Sequence, residues 1–416
     1  MDIYIVGVGM TPFGRFPEWG VKDLAQRAVT DALTDAGCGK SAVDAAFFAN
    51  TVMGYLENQI FIPGPIALRA MGFEEIPILT VENACASGST ALWEAINFVR
   101  SGSGDVALAV GAEKMNVGDK QRQLAIFDSG WEIETADENY AELIAYGAGV
   151  DVPPGSESPD ARSRFMDVYA AYARRHMREY GVTQRQIAAV SAKNHAHSVH
   201  NPRAFFHKEF SIDDVLAAKP VVYPLTVPMC APVTDGGAAA IVCSEEAMAR
   251  YGFDRSRAVK VEACVLVSAV PRQAEEVENQ PTYLAARRAY DQAGIGPEDI
   301  DVAEVHDAAA IGEIREIENL GLCGFGEAAA LSERGDTSIG GRIPVNPSGG
   351  LESKGHPIAA TGLGQIFELT AQLRGECDDR QVDNARYAIQ ENGGGSIGLD
   401  AAVTVVSILS RTGSGR

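Results

Sequence analysis

Two stretches of this chain match each other without a gap: LTDAGCGKSAVDAAFF at 33–48 and YDQAGIGPEDIDVAEV at 290–305. Gly294 lies 257 residues beyond Gly37, and Asp301 lies 257 beyond Asp44. Each stretch reads as the end of an amphipathic helix, a glycine C-cap, a short linker and an apolar strand. The correspondence continues along the chain. SGSTALWEAINFVRSG (87–102) pairs with AATGLGQIFELTAQLRG (359–375), DVALAVGAE (105–113) with RYAIQENGG (386–394), and GGAAAIVCS (236–244) with DAAVTVVS (400–407). Leu92, Ile96 and Val99 share one helical face in the first copy; Leu363, Ile366, Phe367 and Thr370 do so in the second. A chain with this repeat is two copies of one α/β unit, and alternating strands and helices predict largely parallel sheets covered by helices. The boundaries read as 1–117 for the first half, completed by 229–250, and 251–416 for the second. Between them, 118–228 is a polar, helix-rich insertion punctuated by VPPGSESPD (152–160) and HNPRAFF (200–206). Insertions of that size are functional or separately folded.

Charge narrows the possible partners. Lys and Arg number 35 against 56 Asp and Glu, a net charge of −21, which argues against nucleic acid and anionic membrane surfaces. The seven cysteines (38, 85, 230, 243, 264, 323 and 377) form no C-x-x-C pair, and suit a reducing, cytoplasmic setting. The start, MDIYIVGVGM, reads as a first strand rather than a leader. The final RTGSGR carries no lipidation or peroxisomal signal.

Four stretches carry residues suited to chemistry. Cys85 sits where ILTVEN (78–83) runs into a helix, flanked by Ala84, Ala86, Ser87 and Gly88. A helix N-terminus lowers a thiol's pKa, and small neighbours admit a substrate carbonyl; a buried structural cysteine is the alternative. His356, in SGGLESKGHPIAATGLG (348–364), occupies nearly the place in the second copy that Cys85 has in the first. His306, in VHDAAAIGE (305–313), ends the strand matched to AFFAN (46–50). Cys and His at three strand ends suit nucleophilic acyl chemistry. The glycines of QENGGGSIG (390–398) read as an anion-binding turn, without the lysine of a P-loop. NHAHSVH (194–200) does not space His195 and His197 onto one helix face, and with His207 reads as a loop-domain surface with no metal. Cys323 reads as a packing residue.

These residues resemble a thiolase, of the sterol-carrier-protein-x type and its bacterial and archaeal relatives. NACASGSTAL is similar to the family's nucleophile loop, HDAAA to its HDCF-type loop, NPSGGLESKGHPIAATGLGQ to its GHP loop, and KNHAHSVHNPRA to a loop-domain stretch of the same subgroup. The resemblance implies two five-stranded halves in an αβαβα sandwich, an inserted loop domain that helps hold CoA, and a homodimer. It implies no permanently bound cofactor, with acyl-CoA as substrate. It makes Cys85 the acyl acceptor and His356 its activator, with His306 and His356 stabilising the second substrate's thioester oxyanion. The N–H groups of Cys85 and Gly393 would form the other oxyanion hole. The chain departs from the family twice. The second cysteine of ordinary thiolases aligns near Glu391, and that of HDCF is Ala308. Glu391 is the candidate acid/base in its place. Two other readings stand beside a β-ketoacyl-CoA-forming or -cleaving acyltransferase. One is a decarboxylative condensing enzyme like the β-ketoacyl synthases. The other is a non-catalytic acyl-CoA-binding subunit paired with a small OB-fold/zinc-ribbon protein.

Overall fold

The computed structural model describes residues 1–412; the end of the RTGSGR stretch lies outside the described residues. The strands are β1 (Ile3–Met10), β2 (Ala45–Ala49), β3 (Ile78–Val81), β4 (Val106–Glu113), β5 (Pro220–Val222), β6 (Leu225–Thr226), β7 (Gly236–Ser244), β8 (Val259–Ser268), β9 (Val302–Glu304), β10 (Tyr387–Gly394) and β11 (Val403–Arg411). All but β5 and β6 join in the order β3-β2-β4-β7-β1-β8-β11-β10-β9. The seam between the halves is narrow, only Tyr4 with Lys260 and Ile5 with Val259. Read outward from that seam, β1-β7-β4-β2-β3 and β8-β11-β10-β9 follow the same plan, as the repeat requires. The fifth strand of the second half is reduced to one parallel bridge between Ala303 and Val345.

The sheets are mixed rather than largely parallel. β2 pairs parallel with β3 and β4, and β9 with β10. β7 runs antiparallel to both β1 and β4, and β11 to both β8 and β10. The reason lies in the connections. The insertion leaves β4 at Glu113 and returns opposite it at Gly236, so β7 must run back. A short turn joins β10 to β11 and reverses direction in the same way.

Side-chain alternation builds the layers. In β2, Ala45, Phe47 and Ala49 face a central core, while Ala46 and Phe48 face an outer one. The central core holds Leu92, Ile96 and Val99 of helix Ser87–Arg100 together with Leu363, Ile366 and Leu369 of helix Thr361–Arg374. Helix Val21–Ala36 covers the first sheet, and helices Pro281–Ala293 and Ala310–Asn319 cover the second. The result is five layers, αβαβα. The insertion adds helices Arg164–Tyr180 and Gln184–Ser198. Their Val168, Tyr172, Ile187 and Val190 share the second half's outer core, so the insertion packs as part of that half.

Candidate active site

Cys85 lies in a single 3₁₀ turn, Ala84–Ala86, between β3 and helix Ser87–Arg100. The turn is tight enough to hold Ala84 at φ 47°, a left-handed conformation that costs a residue with a Cβ about 1–3 kcal/mol. Hydroxyls tie it down. Ser87 Oγ donates to the Ala84 carbonyl at 2.7 Å and accepts from Asn83 N–H at 2.8 Å. Gly394 passes directly against the turn: a Cβ there would meet Ala86 N at 2.5 Å. Glycine at this point lets β10 lie beside the cysteine.

His356 follows Gly355, whose φ of 112° turns the chain into the site. Its N–H donates to Thr234 Oγ1 at 2.9 Å, and its Nδ1 is 2.6 Å from Thr361 Oγ1. That hydroxyl donates to the Pro357 carbonyl, so it accepts from Nδ1–H. The tautomer follows: Nε2 is left as the acceptor. His306, at the end of β9, is stacked obliquely on it, with ring centroids 5.2 Å apart, and its buried Nε2 has no hydrogen-bond partner. The Cys85 sulfur and one ring nitrogen from each histidine lie within 4.8 Å of one another. Three separate strand or helix ends thus converge, as the sequence implied. A thiol and two imidazoles at this spacing also form a partial zinc-type ligand set. No fourth His, Cys or carboxylate joins them among the described residues.

Protonation differs from the sequence expectation. Burial pushes the Cys85 thiol up to about 12, with Glu113 and Glu82 adding to the effect. Burial lowers His306 to about 4, and holds His356 well below the ordinary histidine value, with His306 contributing. A helix end is worth at most ~2 kcal/mol, and desolvation outweighs it here. The resting site is a thiol beside two neutral imidazoles.

All three line one cavity of about 610 Å³. Residues 3–246 match the family described as "Thiolase, N-terminal domain", and residues 268–411 match "Thiolase C-terminal domain-like". The chain belongs to the thiolase family. It is 38% identical to sterol carrier protein 2 of Homo sapiens over 97% of this chain and 71% of that protein. It is 37% identical to an acetyl-CoA acetyltransferase of Methanothermobacter thermautotrophicus, over 98% of this chain and 99% of that one. Among solved structures, an Ltp2-ChsH2(DUF35) aldolase superposes with a TM-score of 0.79 at 22% identity, covering 100% of this chain and 99% of that chain. The thiolase reading of the sequence stands, and the protein is a thiolase-like acyltransferase.

The place of the missing thiolase cysteine is occupied by an acid. Glu391 is 1% exposed in the middle of β10 and lines the cavity. It accepts from His306 N–H at 2.9 Å and from Thr282 Oγ1 at 3.5 Å. Burial, then Glu316, holds its carboxyl well above the usual range. Gly393 shares its face of the strand. Gly393 and Gly394 belong to β10 itself, not to the turn read from the sequence; that turn begins at Gly395. Ala308 also lines the cavity, and so does Cys230, which the sequence reading passed over. An antiparallel bridge joins Cys230 to Ala309. No motif marks Cys230; only the return of the insertion brings it there.

Two further groups were missed. Glu113, fully buried at the end of β4, accepts from Asn50 Nδ2, Thr51 N, Val52 N and Ala359 N at 2.9–3.2 Å. It thereby ties the loop after β2 to the segment that follows His356. Burial raises it to about 7. An acid closing the apolar run DVALAVGA was the available signal. The second group is a buried polar frame behind His306. Asp307 accepts from Leu351 N at 2.7 Å and Asn194 Nδ2 at 3.1 Å, and Lys193 pairs with Glu313 at 2.6 Å. NHAHSVH through Ser198 is part of this frame and not a surface, although His200 and His207 are exposed. His195 and His197 are 1% and 6% exposed. They hold Ser353 and the Asn346 carbonyl, each at 3.0 Å, beneath the GHP loop. Cys323 packs against the second half's outer core, as expected.

Proposed function

We propose that Cys85 is the acyl-accepting nucleophile of this thiolase-like enzyme, and that it forms or cleaves a β-ketoacyl-CoA. The convergence of Cys85, His306 and His356 within 4.8 Å carries this reading. His356 Nε2 takes the thiol proton as sulfur attacks the thioester carbon. The carbon–sulfur bond to CoA then breaks, and the proton passes to the departing thiolate. N–H groups of Cys85 and Gly393 stabilise the first oxyanion, and His306 donates to the oxygen of the second substrate's enolate, joined by His356 only while its Nε2 carries a proton. Glu391 moves that substrate's α-proton in place of the second thiolase cysteine. Residues 118–228, as a loop domain, help hold CoA over the cavity, and no cofactor is permanently bound.

The test is intact-mass spectrometry after incubation with a panel of acyl-CoAs. One acyl equivalent, mapped to Cys85, is expected; labelling of another cysteine instead would sink the assignment. Because the imidazoles are already neutral, acylation should stay level with pH down past the ordinary histidine value of about 6.5. It should fall only in more acidic solution, where His356, held well below that value by burial, takes up a proton. A rate that drops near neutrality would mean a pre-formed thiolate–imidazolium pair.

Neither Ala308 nor Glu391 is a cysteine, and that favours one second reading, decarboxylative condensation, which needs no α-proton base. Rapid carbon dioxide release from malonyl-CoA would select it.

A homodimer is also proposed. β3 is an edge strand with Leu79 exposed, and Ile60, Phe61 and Ile62, just before helix Pro63–Arg69, are 61–76% exposed. Such an edge needs covering. Sedimentation should show about twice 44.1 kDa at micromolar concentration; a monomer only would refute it. A small OB-fold/zinc-ribbon partner remains part of the proposal, since one structural neighbour is a DUF35 complex. A cytoplasmic location fits seven free cysteines. No helix among the described residues is long and apolar enough to cross a membrane.

A further inference from the structure

The cavity lining is of two kinds. Toward the insertion it is lined by Ile126, Phe127, Phe165, Met166 and Val221. Around Glu391 it is polar, and its cation there is Arg315. The Arg315 guanidinium lies flat over Tyr172, 3.8 Å from the ring centroid. It spends one hydrogen bond on a neutral partner, Gln280 Oε1 at 2.9 Å, and stands 3.9 Å from Asp400. Asp400 is already claimed by Arg272, which holds both its oxygens at 2.6 and 2.8 Å. A guanidinium has five donors, so most of Arg315's capacity is unspent among the described residues.

Two hydroxyls of the cavity have no partner: Ser396 sits against the insertion, where its N–H donates to the Gly130 carbonyl, and Thr404 stands on the Glu391 side. Thr404 and Ser396 are 0% and 5% exposed, line this cavity, and have hydroxyl oxygens with no hydrogen-bond partner. Thr404 faces Gly393 across the β10–β11 pair, and a Cβ on Gly393 would come within 3.8 Å of its hydroxyl. Glycine keeps that approach open. The neighbouring acids are already engaged or neutralised: Asp400 is paired with Arg272, and burial holds Glu316 and Glu391 above the ordinary carboxylate range against the pull of Arg315 on both. An aliphatic chain end placed here would strip these donors of water with nothing in return, which is costly. A carboxylate would accept from a planar guanidinium in the geometry that favours bidentate pairing.

We infer that the acyl group this enzyme handles carries a second carboxylate, held by Arg315 with Thr404 on the Glu391 side of the cavity. The inference rests on the reading of this cavity as the acyl-CoA site, and names its substrate class: CoA thioesters of dicarboxylic acids, and the β-keto compounds built from them.

Calorimetric titration tests it without turnover. The Cys85→Ala chain is titrated with length-matched pairs, succinyl-CoA against butyryl-CoA and glutaryl-CoA against pentanoyl-CoA. At least one dicarboxylate is expected to bind roughly ten- to a hundredfold more tightly than its partner, as a charged hydrogen-bonded pair warrants. Arg315→Met should bring that ratio to about one, and Arg315→Lys should keep part of it. Equal or weaker binding of the dicarboxylate in both pairs overturns the inference, as does a ratio unchanged by Arg315→Met. If Arg315→Met lacks a native melting transition, Thr404→Val replaces it: a severalfold fall in the ratio supports the inference, and no fall overturns it. Failure of the acyl-cysteine reading is seen elsewhere, as an unlabelled Cys85 in the native chain, and leaves these binding ratios intact.

Discussion

The Cys85→Ala chain is expected to bind acyl-CoA and transfer nothing, with activity down by roughly 10⁴–10⁶-fold, the range for loss of a covalent nucleophile. Its fold should survive. The sulfur makes none of the hydrogen bonds that hold the Ala84–Ala86 turn; Ser87, Asn83 and Thr51 make them. Helix Ser87–Arg100 is anchored by Leu92, Ile96 and Val99, well away from the turn. The variant should therefore keep a native melting transition while its mass spectrum shows no acyl adduct. Retained transfer with a label on Cys230, the other thiol lining the cavity, would move the nucleophile and overturn the scheme.

Glu391→Gln should separate the two half-reactions. Acylation of Cys85 needs only the thiol and His356, and should change little. Withdrawal of the α-proton needs a base, and a positioned one is worth ~10²–10⁴-fold. Glutamine keeps the size and still accepts from His306 N–H, but cannot take a proton. Deuterium exchange at the α-carbon should slow by that factor, and condensation or thiolysis with it. The native carboxyl itself is held high by burial and Glu316, so exchange by the native chain should rise as pH increases and the acid ionises. Cys230→Ala serves as the control. If exchange survives Glu391→Gln and is lost in Cys230→Ala, the thiol beside Ala308 is the base instead.

The repeat was legible because both copies meet the same physical demand. Each must bury one helix between two sheets, so Leu92, Ile96 and Val99 answer to Leu363, Ile366 and Leu369. The three candidate residues were legible because chemistry needs them at strand or helix ends, where the local sequence is short and distinctive. The direction of β7 and β11 was not, since pairing direction depends on the end at which a connection returns, and hydrophobic runs look alike either way. Nor was the role of NHAHSVH. A polar run usually means a solvated face, but Asn194, His195 and His197 are satisfied by partners far along the chain, at Asp307, Ser353 and Asn346.

By itself the sequence determined the two-copy architecture, the inserted segment, and the identities of Cys85, His306, His356 and Glu391 as the groups available for chemistry. All but Glu391 rest on local pattern, which short-range geometry enforces; Glu391 came from the resemblance to the thiolase family. Only the tertiary structure decided their charge states, because desolvation depends on everything packed around a group. It turned an expected thiolate into a half-buried, protonated thiol beside neutral imidazoles. It also brought Glu113, Cys230 and Arg315 to the site. These three come from different halves and from the return of the insertion, and no spacing along the chain records that they meet.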